Sequence, residues 1–557
     1  MSRAREHNPL VACAMSVRVS VRDLCRVPAR CRKPCQTGPV RRLPAALALT
    51  AVALAACSSG SPQGSATTPT TPVATSAPAS VAPTTTQPGT SPATITGSPT
   101  ARPAALSWHG CGDGFQCTTL QVPLDPTKPA LGNVGIAITR HRATGSNRIG
   151  SLLVNPGGPG ASAVGFLKST YTSYPSTLRQ HFDLAAFDPR GVGLTAPVRC
   201  LSTAELDAYF HIDPVPDSPA EVQQLTAGNK KLDAGCKARS SRILPYVTTK
   251  IVAQDMDRVR AALGDDKLTY LGYSYGTAIG ASYLDQFPTH VRAMVLDGAL
   301  DPTTSWSQLL AGQSKGFDVA LGAFLDNCQA TNCAFRKAAT GDLRQAFDAL
   351  AKKVESSPLP GDGKRTVGPG EFTLGVGAGL YSRGNGWPAI AQALADAEHG
   401  KGAYLLALND SYLDRGPNGY ANTDEANFAV NCVDRPWPTT EKPYYDLAAE
   451  VAKTYPRFGP AIALSGLGCA YWPVPATGTP HAVSGKGSPP IVVIGTTRDP
   501  ATPYMWAQSL AKQLDNGILI THDGDGHTVF RNGAPNCIIR PVDDYFVSLK
   551  APSASTC

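Results

Sequence analysis

From about residue 107 onward, short apolar runs alternate with amphipathic stretches. Val134 to Thr139 (VGIAIT), Gly150 to Val154 (GSLLV) and Phe182 to Phe187 (FDLAAF) each end at a turn rich in Gly or Pro, as buried strands do. Ala253 to Leu263 (AQDMDRVRAAL) carries a helical stripe, Lys267 to Gly272 (KLTYLG) reads as a strand, and Tyr275 to Phe287 reads as a helix stopped by Pro288. A further strand, Val291 to Leu296, follows. This rhythm predicts an α/β fold: a mostly parallel sheet with helices on both faces. After Pro302 the pattern changes. Residues 306–425 are dominated by helical stretches such as Leu343 to Val354 and Trp387 to Ala397, and strand-like runs return only at Ile491 to Gly495 (IVVIG) and Gly517 to His522 (GILITH). A mostly helical insertion inside a sheet domain is expected.

The amino terminus has a different pattern. Ten Lys and Arg against two acidic residues precede position 57, and the apolar run Leu43 to Ala56 follows the basic stretch. Fourteen residues rise only about 21 Å as a helix, short of a bilayer core of roughly 30 Å, which favours a signal segment over a permanent span. Leu54-Ala55-Ala56-Cys57 resembles a bacterial lipobox, which makes Cys57 the candidate lipidation site. Residues 58–104 are almost entirely Ser, Thr, Pro, Ala and Gly, with Arg102 their one charge, and read as a tether. The whole chain has a formal charge of +8. That surplus resides entirely in the leader, so the body is net neutral and recognition of nucleic acid is not expected.

Of the 15 cysteines, four lie in the leader and one is Cys57. An even set remains in an exported body, which predicts disulfides. Sequential pairing is the simplest arrangement: Cys111 with Cys117, Cys200 with Cys236, Cys328 with Cys333, Cys432 with Cys469, and Cys537 with Cys557. Other connectivities stay open. Neither C-x-x-C nor H-E-x-x-H occurs, so no metal site is expected.

The candidate chemistry sits at three turns. Gly272-Tyr273-Ser274-Tyr275-Gly276 is a G-x-S-x-G between a predicted strand and a predicted helix, where small flanking residues let the chain turn sharply and leave a serine hydroxyl exposed. Such a serine needs a base, and the base needs an orienting carboxylate. Asp499 follows the strand beginning at Ile491, and His527 follows the last strand in D-G-D-G-H-T. Asp297 is the rival acid and His522 the rival base; the chain order Ser, Asp, His on successive turns favours Asp499 and His527. The third turn, Asn155-Pro156-Gly157-Gly158-Pro159-Gly160, follows an early strand. Its Gly158 N–H, with that of Tyr275, is the candidate oxyanion hole.

N-P-G-G-P-G, F-D-P-R-G-V-G (Phe187 to Gly193), G-Y-S-Y-G-T, V-L-D-G (Val295 to Gly298), D-P-A-T-P and G-H-T together resemble the exported tripeptidyl aminopeptidase-like α/β-hydrolases of actinobacteria, relatives of proline iminopeptidase. The resemblance covers about residues 107–540. It implies an α/β-hydrolase fold and a serine exopeptidase that releases short peptides from free N-termini, with Ser274, Asp499 and His527 as the triad, no cofactor, and the insertion as a lid. Asn155 stands where proline iminopeptidases carry His, which argues against strict proline iminopeptidase activity. Such enzymes hold the substrate's α-ammonium with carboxylates, for which Asp434 is the nominee; a turn-forming Asp beside a disulfide is the competing reading.

The expected organisation is a signal peptide over 1–56, the lipid-anchor Cys and linker over 57–106, the hydrolase core over 107–305 and 486–557, and the helical insertion over 306–485. A location on the outer face of the cytoplasmic membrane, held by lipid alone, and peptide or protein substrates are expected with it. A carboxylesterase or lipase using the same triad and a non-catalytic envelope lipoprotein are the alternatives.

Overall fold

The computed structural model describes residues 106–557. The leader, Cys57 and most of the linker lie outside the described residues. Ten strands form one sheet: β1 (His109–Gly110), β2 (Phe115–Pro123), β3 (Asn133–His141), β4 (Gly150–Asn155), β5 (Phe182–Phe187), β6 (Leu268–Tyr273), β7 (Val291–Asp297), β8 (Ile491–Arg498), β9 (Gly517–Asp525) and β10 (Ser555–Thr556), in the order β1-β2-β3-β5-β4-β6-β7-β8-β9-β10. From β5 through β10 every neighbouring pair is parallel, while β1, β2 and β3 form an antiparallel edge joined to β5.

The continuous apolar runs have a direct physical reading. Every residue of β4, β5 and β6 is buried, because helices cover both faces. Alternate side chains serve opposite cores. Leu153, Tyr270, Met294 and Val493 pack on one face with Val252 and Met256 of the helix Thr249–Leu263 and Ile279 and Tyr283 of the helix Tyr275–Gln286. Leu152, Leu271, Val295 and Ile494 pack on the other with Leu167, Leu178, Ile538 and Phe546.

Between β7 and β8 the chain leaves the sheet for a series of helices from Trp306–Thr331 to Gly459–Ser465. These have an apolar core of their own, built around Leu321, Phe324, Phe347, Leu350, Phe372 and Leu394. Two elements depart from the sequence pattern. β2 is a strand at the sheet's antiparallel edge, where mixed polar and apolar residues suffice. The helix Pro219–Ser240 is mostly polar and shows no clean stripe; its start is fixed by a capping box in which Ser218 accepts from the Glu221 N–H and the Glu221 side chain accepts from that of Ser218. Disulfides join Cys111–Cys117, Cys200–Cys236, Cys328–Cys333, Cys432–Cys469 and Cys537–Cys557.

Candidate active site

The turns that follow β4, β6, β7, β8 and β9 gather at the carboxyl ends of the parallel strands, where open α/β sheets place their ligands. Ser274 separates β6 from the helix Tyr275–Gln286, with φ 54° and ψ −127°. A side chain is rarely held in that conformation, and here the surroundings enforce it. The Ser274 N–H donates to the Asp297 carbonyl at 2.9 Å, and the Ser274 carbonyl accepts from the Thr277 N–H at 2.8 Å and its hydroxyl at 2.6 Å. The flanking glycines are required by contact. A Cβ on Gly272 would lie 2.5 Å from the Gly276 carbonyl oxygen, and one on Gly276 would lie 2.8 Å from that of Asn155.

The glycine turn abuts this elbow. The Asn155 side chain accepts from the Gly157 N–H at 2.9 Å, and a Cβ on Gly157, whose φ is +90°, would stand 2.6 Å from the Tyr275 nitrogen and 3.0 Å from the Ser274 Cβ. Asn155, in the position where proline iminopeptidases carry His, is therefore a turn brace. Tyr275 is the first residue of its helix, so its N–H has no acceptor one turn back.

Asp499 sits just past a register irregularity in β8. Its carboxylate accepts from the Ala501 and Thr502 N–H groups, both at 2.9 Å, and from the Thr502 hydroxyl at 3.0 Å. It also receives His527 Nδ1 on both oxygens, at 2.8 and 2.9 Å. That grip puts the ring proton on Nδ1 and leaves Nε2 as the acceptor; Nε2 is buried and has no hydrogen-bond partner among the described residues. Ser274, Asp499 and His527 are 7%, 2% and 5% exposed, so bulk water is largely excluded from all three. The insertion reaches this loop: the Tyr381 carbonyl accepts from the His527 N–H at 2.9 Å, and the Tyr381 ring stands edge-on to the imidazole at 5.3 Å.

The rival residues have other duties. Asp297 does not pair with His527; one of its oxygens accepts from the Val529 and Phe530 N–H groups at 2.8 and 2.7 Å, and burial pushes its carboxyl up to about 6. His522 belongs to β9, which runs to Asp525, three residues beyond the strand end read from the sequence.

Asp434 ends the helix Thr423–Asp434. One oxygen accepts from the Thr249 N–H at 2.8 Å and the other from the Thr249 hydroxyl, which also meets the Tyr275 hydroxyl. Its carboxylate is thus spent inside the protein, and it does not line the cavity above Ser274. That cavity measures about 1300 Å³ and is bounded by Ser274, Tyr275 and Gly158 on the core side and by insertion helices opposite. Two carboxylates line it: Asp414, and Asp424 at the other end of the same helix, the latter pushed up to about 7 by burial and by the neighbouring Asp414. Sequence reasoning missed Asp424 because T-D-E reads as ordinary acidic residues of a first helical turn.

Two family profiles match: the α/β hydrolase fold over residues 150–349 and TAP-like protein over residues 455–557. Serine protease Hip1 of Mycobacterium tuberculosis is 38% identical over 462 residues, covering 80% of this chain and 87% of that protein. Carboxylesterase B of the same species is 37% identical over 477 residues, covering 82% and 91%. Tripeptidyl aminopeptidase of Streptomyces coelicolor is 32% identical over 474 residues, covering 82% and 86%. The chain belongs to the TAP-like family of α/β-hydrolase serine hydrolases and peptidases.

Proposed function

We propose that this serine hydrolase is an exported, lipid-anchored aminopeptidase that releases short peptides from free N-termini through an acyl-enzyme on Ser274. The observation that carries the chemistry is the two-oxygen grip of Asp499 on His527 Nδ1, which leaves Nε2 as the base. His527 takes the Ser274 proton as Oγ attacks the scissile carbonyl. The N–H groups of Gly158 and Tyr275 stabilise the tetrahedral oxyanion, Asp499 stabilises the imidazolium, His527 then protonates the leaving amine, and water hydrolyses the ester.

The exopeptidase half rests on the cavity. The insertion walls it, and Asp424 offers a carboxylate with no ion pair among the described residues to a substrate ammonium. Export and anchoring rest on the basic leader, Leu54-Ala55-Ala56-Cys57 and the tether, and five disulfides agree with an oxidising compartment. Attachment at Cys57 puts the enzyme on the outer face of the cytoplasmic membrane.

The test compares a fluorogenic tripeptide bearing a free amine, its N-acetylated twin and a p-nitrophenyl ester. Strong preference for the free amine is expected. Cleavage of the ester alone would move the protein to the esterase reading, for which the likeness to Carboxylesterase B speaks.

A further inference from the structure

The cavity above Ser274 also contains a cation, opposite in sign to the carboxylate of Asp424. Arg435 lines it, and among the described residues it is the one Lys, Arg or His that does so. Its Nη1 donates to the Thr304 carbonyl at 3.2 Å and to the Thr304 hydroxyl at 3.4 Å. Its Nε is buried without a hydrogen-bond partner, and the guanidinium forms no direct ion pair among the described residues, the charge of Asp434 favouring it only from a distance. The adjacent Asp434 is turned toward Thr249. A guanidinium withdrawn from water in an apolar cavity, with donors to spare, is costly unless an anion completes it.

Placement narrows what that anion is. Asp424 and Arg435 mark the two ends of the helix Thr423–Asp434, which crosses the glycine turn where Asn427 donates to the Pro159 carbonyl at 3.1 Å. Eleven residues of helix rise about 16 Å. An extended peptide covers that distance in about five residues.

Resting on the peptidase reading above, we propose that Arg435 is a subsite for a substrate carboxylate, carried about five residues from the ammonium that Asp424 holds. An acidic side chain and the free C-terminus of a short peptide present the same group. The guanidinium fork receives either through paired N–H donors.

The test uses the full-length protein and a set of hexa-alanine-based peptides carrying Glu or Gln at each position in turn, each made as the C-terminal acid and as the amide. Hydrolysis is followed by chromatography, and the same peptides are titrated as inhibitors of p-nitrophenyl acetate hydrolysis, which reads binding even where no peptide bond is cut. Glu near the fifth position is expected to lower KM or the inhibition constant about tenfold relative to Gln, with kcat little changed, if the side chain is read. A gain of the acid over the amide in pentamers or hexamers assigns the C-terminus instead. In R435Q the preference should vanish while the Gln amide peptides are handled within about twofold of wild type.

Equal handling of Glu and Gln at every position and of acid and amide overturns the proposal. So does a preference that survives R435Q, or an R435Q protein slowed equally on neutral and acidic peptides, which would make Arg435 a brace for Thr304. If R435Q does not fold, R435K decides: a diminished preference supports the subsite, and an undiminished one overturns it. Ester hydrolysis with no peptide cleavage defeats the peptidase reading, whereas equal inhibition by Glu and Gln peptides at every position, together with equal inhibition by acid and amide, defeats the subsite.

Discussion

Asp297 and Ser274 are joined through the backbone: the Asp297 carbonyl receives the Ser274 N–H at 2.9 Å, while the Asp297 carboxylate receives the two N–H groups just past His527. One residue therefore sets the spacing between the nucleophile elbow and the loop of the base. It does so without touching the imidazole hydrogen bond, which belongs to Asp499.

The two acids should separate in mutant kinetics. Asp499→Asn offers His527 an amide in place of a carboxylate, disturbs the tautomer, and should lower kcat about 10⁴-fold. Asp297→Asn keeps an oxygen for Val529 and Phe530 and should stay within about tenfold of wild type. Steady-state kinetics on one peptide substrate decides; the reverse ranking would make Asp297 the triad acid.

Gly157→Ala should lower kcat about 10²-fold or more, since its Cβ would stand 2.6 Å from the Tyr275 nitrogen and must push the glycine turn off the elbow. Thermal melting run beside the kinetics separates a displaced turn from an unfolded protein. An active, folded Gly157→Ala enzyme would remove Gly158 from the oxyanion hole.

Asp424→Asn should raise KM for free-amine peptides about tenfold and leave kcat/KM for the N-acetylated twin within about twofold. A uniform loss on both substrates would show a structural residue.

How much of this could be read from residues alone depended on distance along the chain. The strands β4 to β7 announce themselves because burial on both faces demands unbroken apolar runs, and G-x-S-x-G is legible because the elbow's neighbours must lack side chains. Asp434 is the nominee for the ammonium through the family resemblance, yet its partner Thr249 lies 185 residues away, and nothing local in the sequence shows that pairing. Asp297 reads as the end of a strand and turns out to carry the His527 loop, again through contacts more than 200 residues distant. The helix Pro219–Ser240 lacks an apolar stripe, so hydrophobic periodicity does not reveal it.

That helix also predicts a pH dependence of folding. Asp233 is 4% exposed, neither carboxylate oxygen has a hydrogen-bond partner among the described residues, and burial pushes it up to about 8. Its folded pKa lies above its unfolded value of 3.8, so the native state binds the extra proton. Asp233 thus contributes a loss of stability as pH rises from about 4 to about 8, with a slope of up to about 1.4 kcal/mol per pH unit, and a constant penalty beyond. Urea unfolding at pH 5, 6, 7 and 8 should show this slope reduced by one proton in Asp233→Asn. Parallel curves for the two proteins would contradict it.

The central claim is that Ser274 is the nucleophile. It is tested most directly by treating the wild-type and Ser274→Ala proteins with a fluorophosphonate, locating the adduct by peptide mass spectrometry, and measuring peptide hydrolysis in the same samples. The predicted result is one adduct per chain on Ser274 with complete loss of activity in the wild type, and no adduct with turnover reduced by several orders of magnitude in a folded Ser274→Ala protein. Hydrolysis retained by folded Ser274→Ala, or an adduct on another residue, would contradict it.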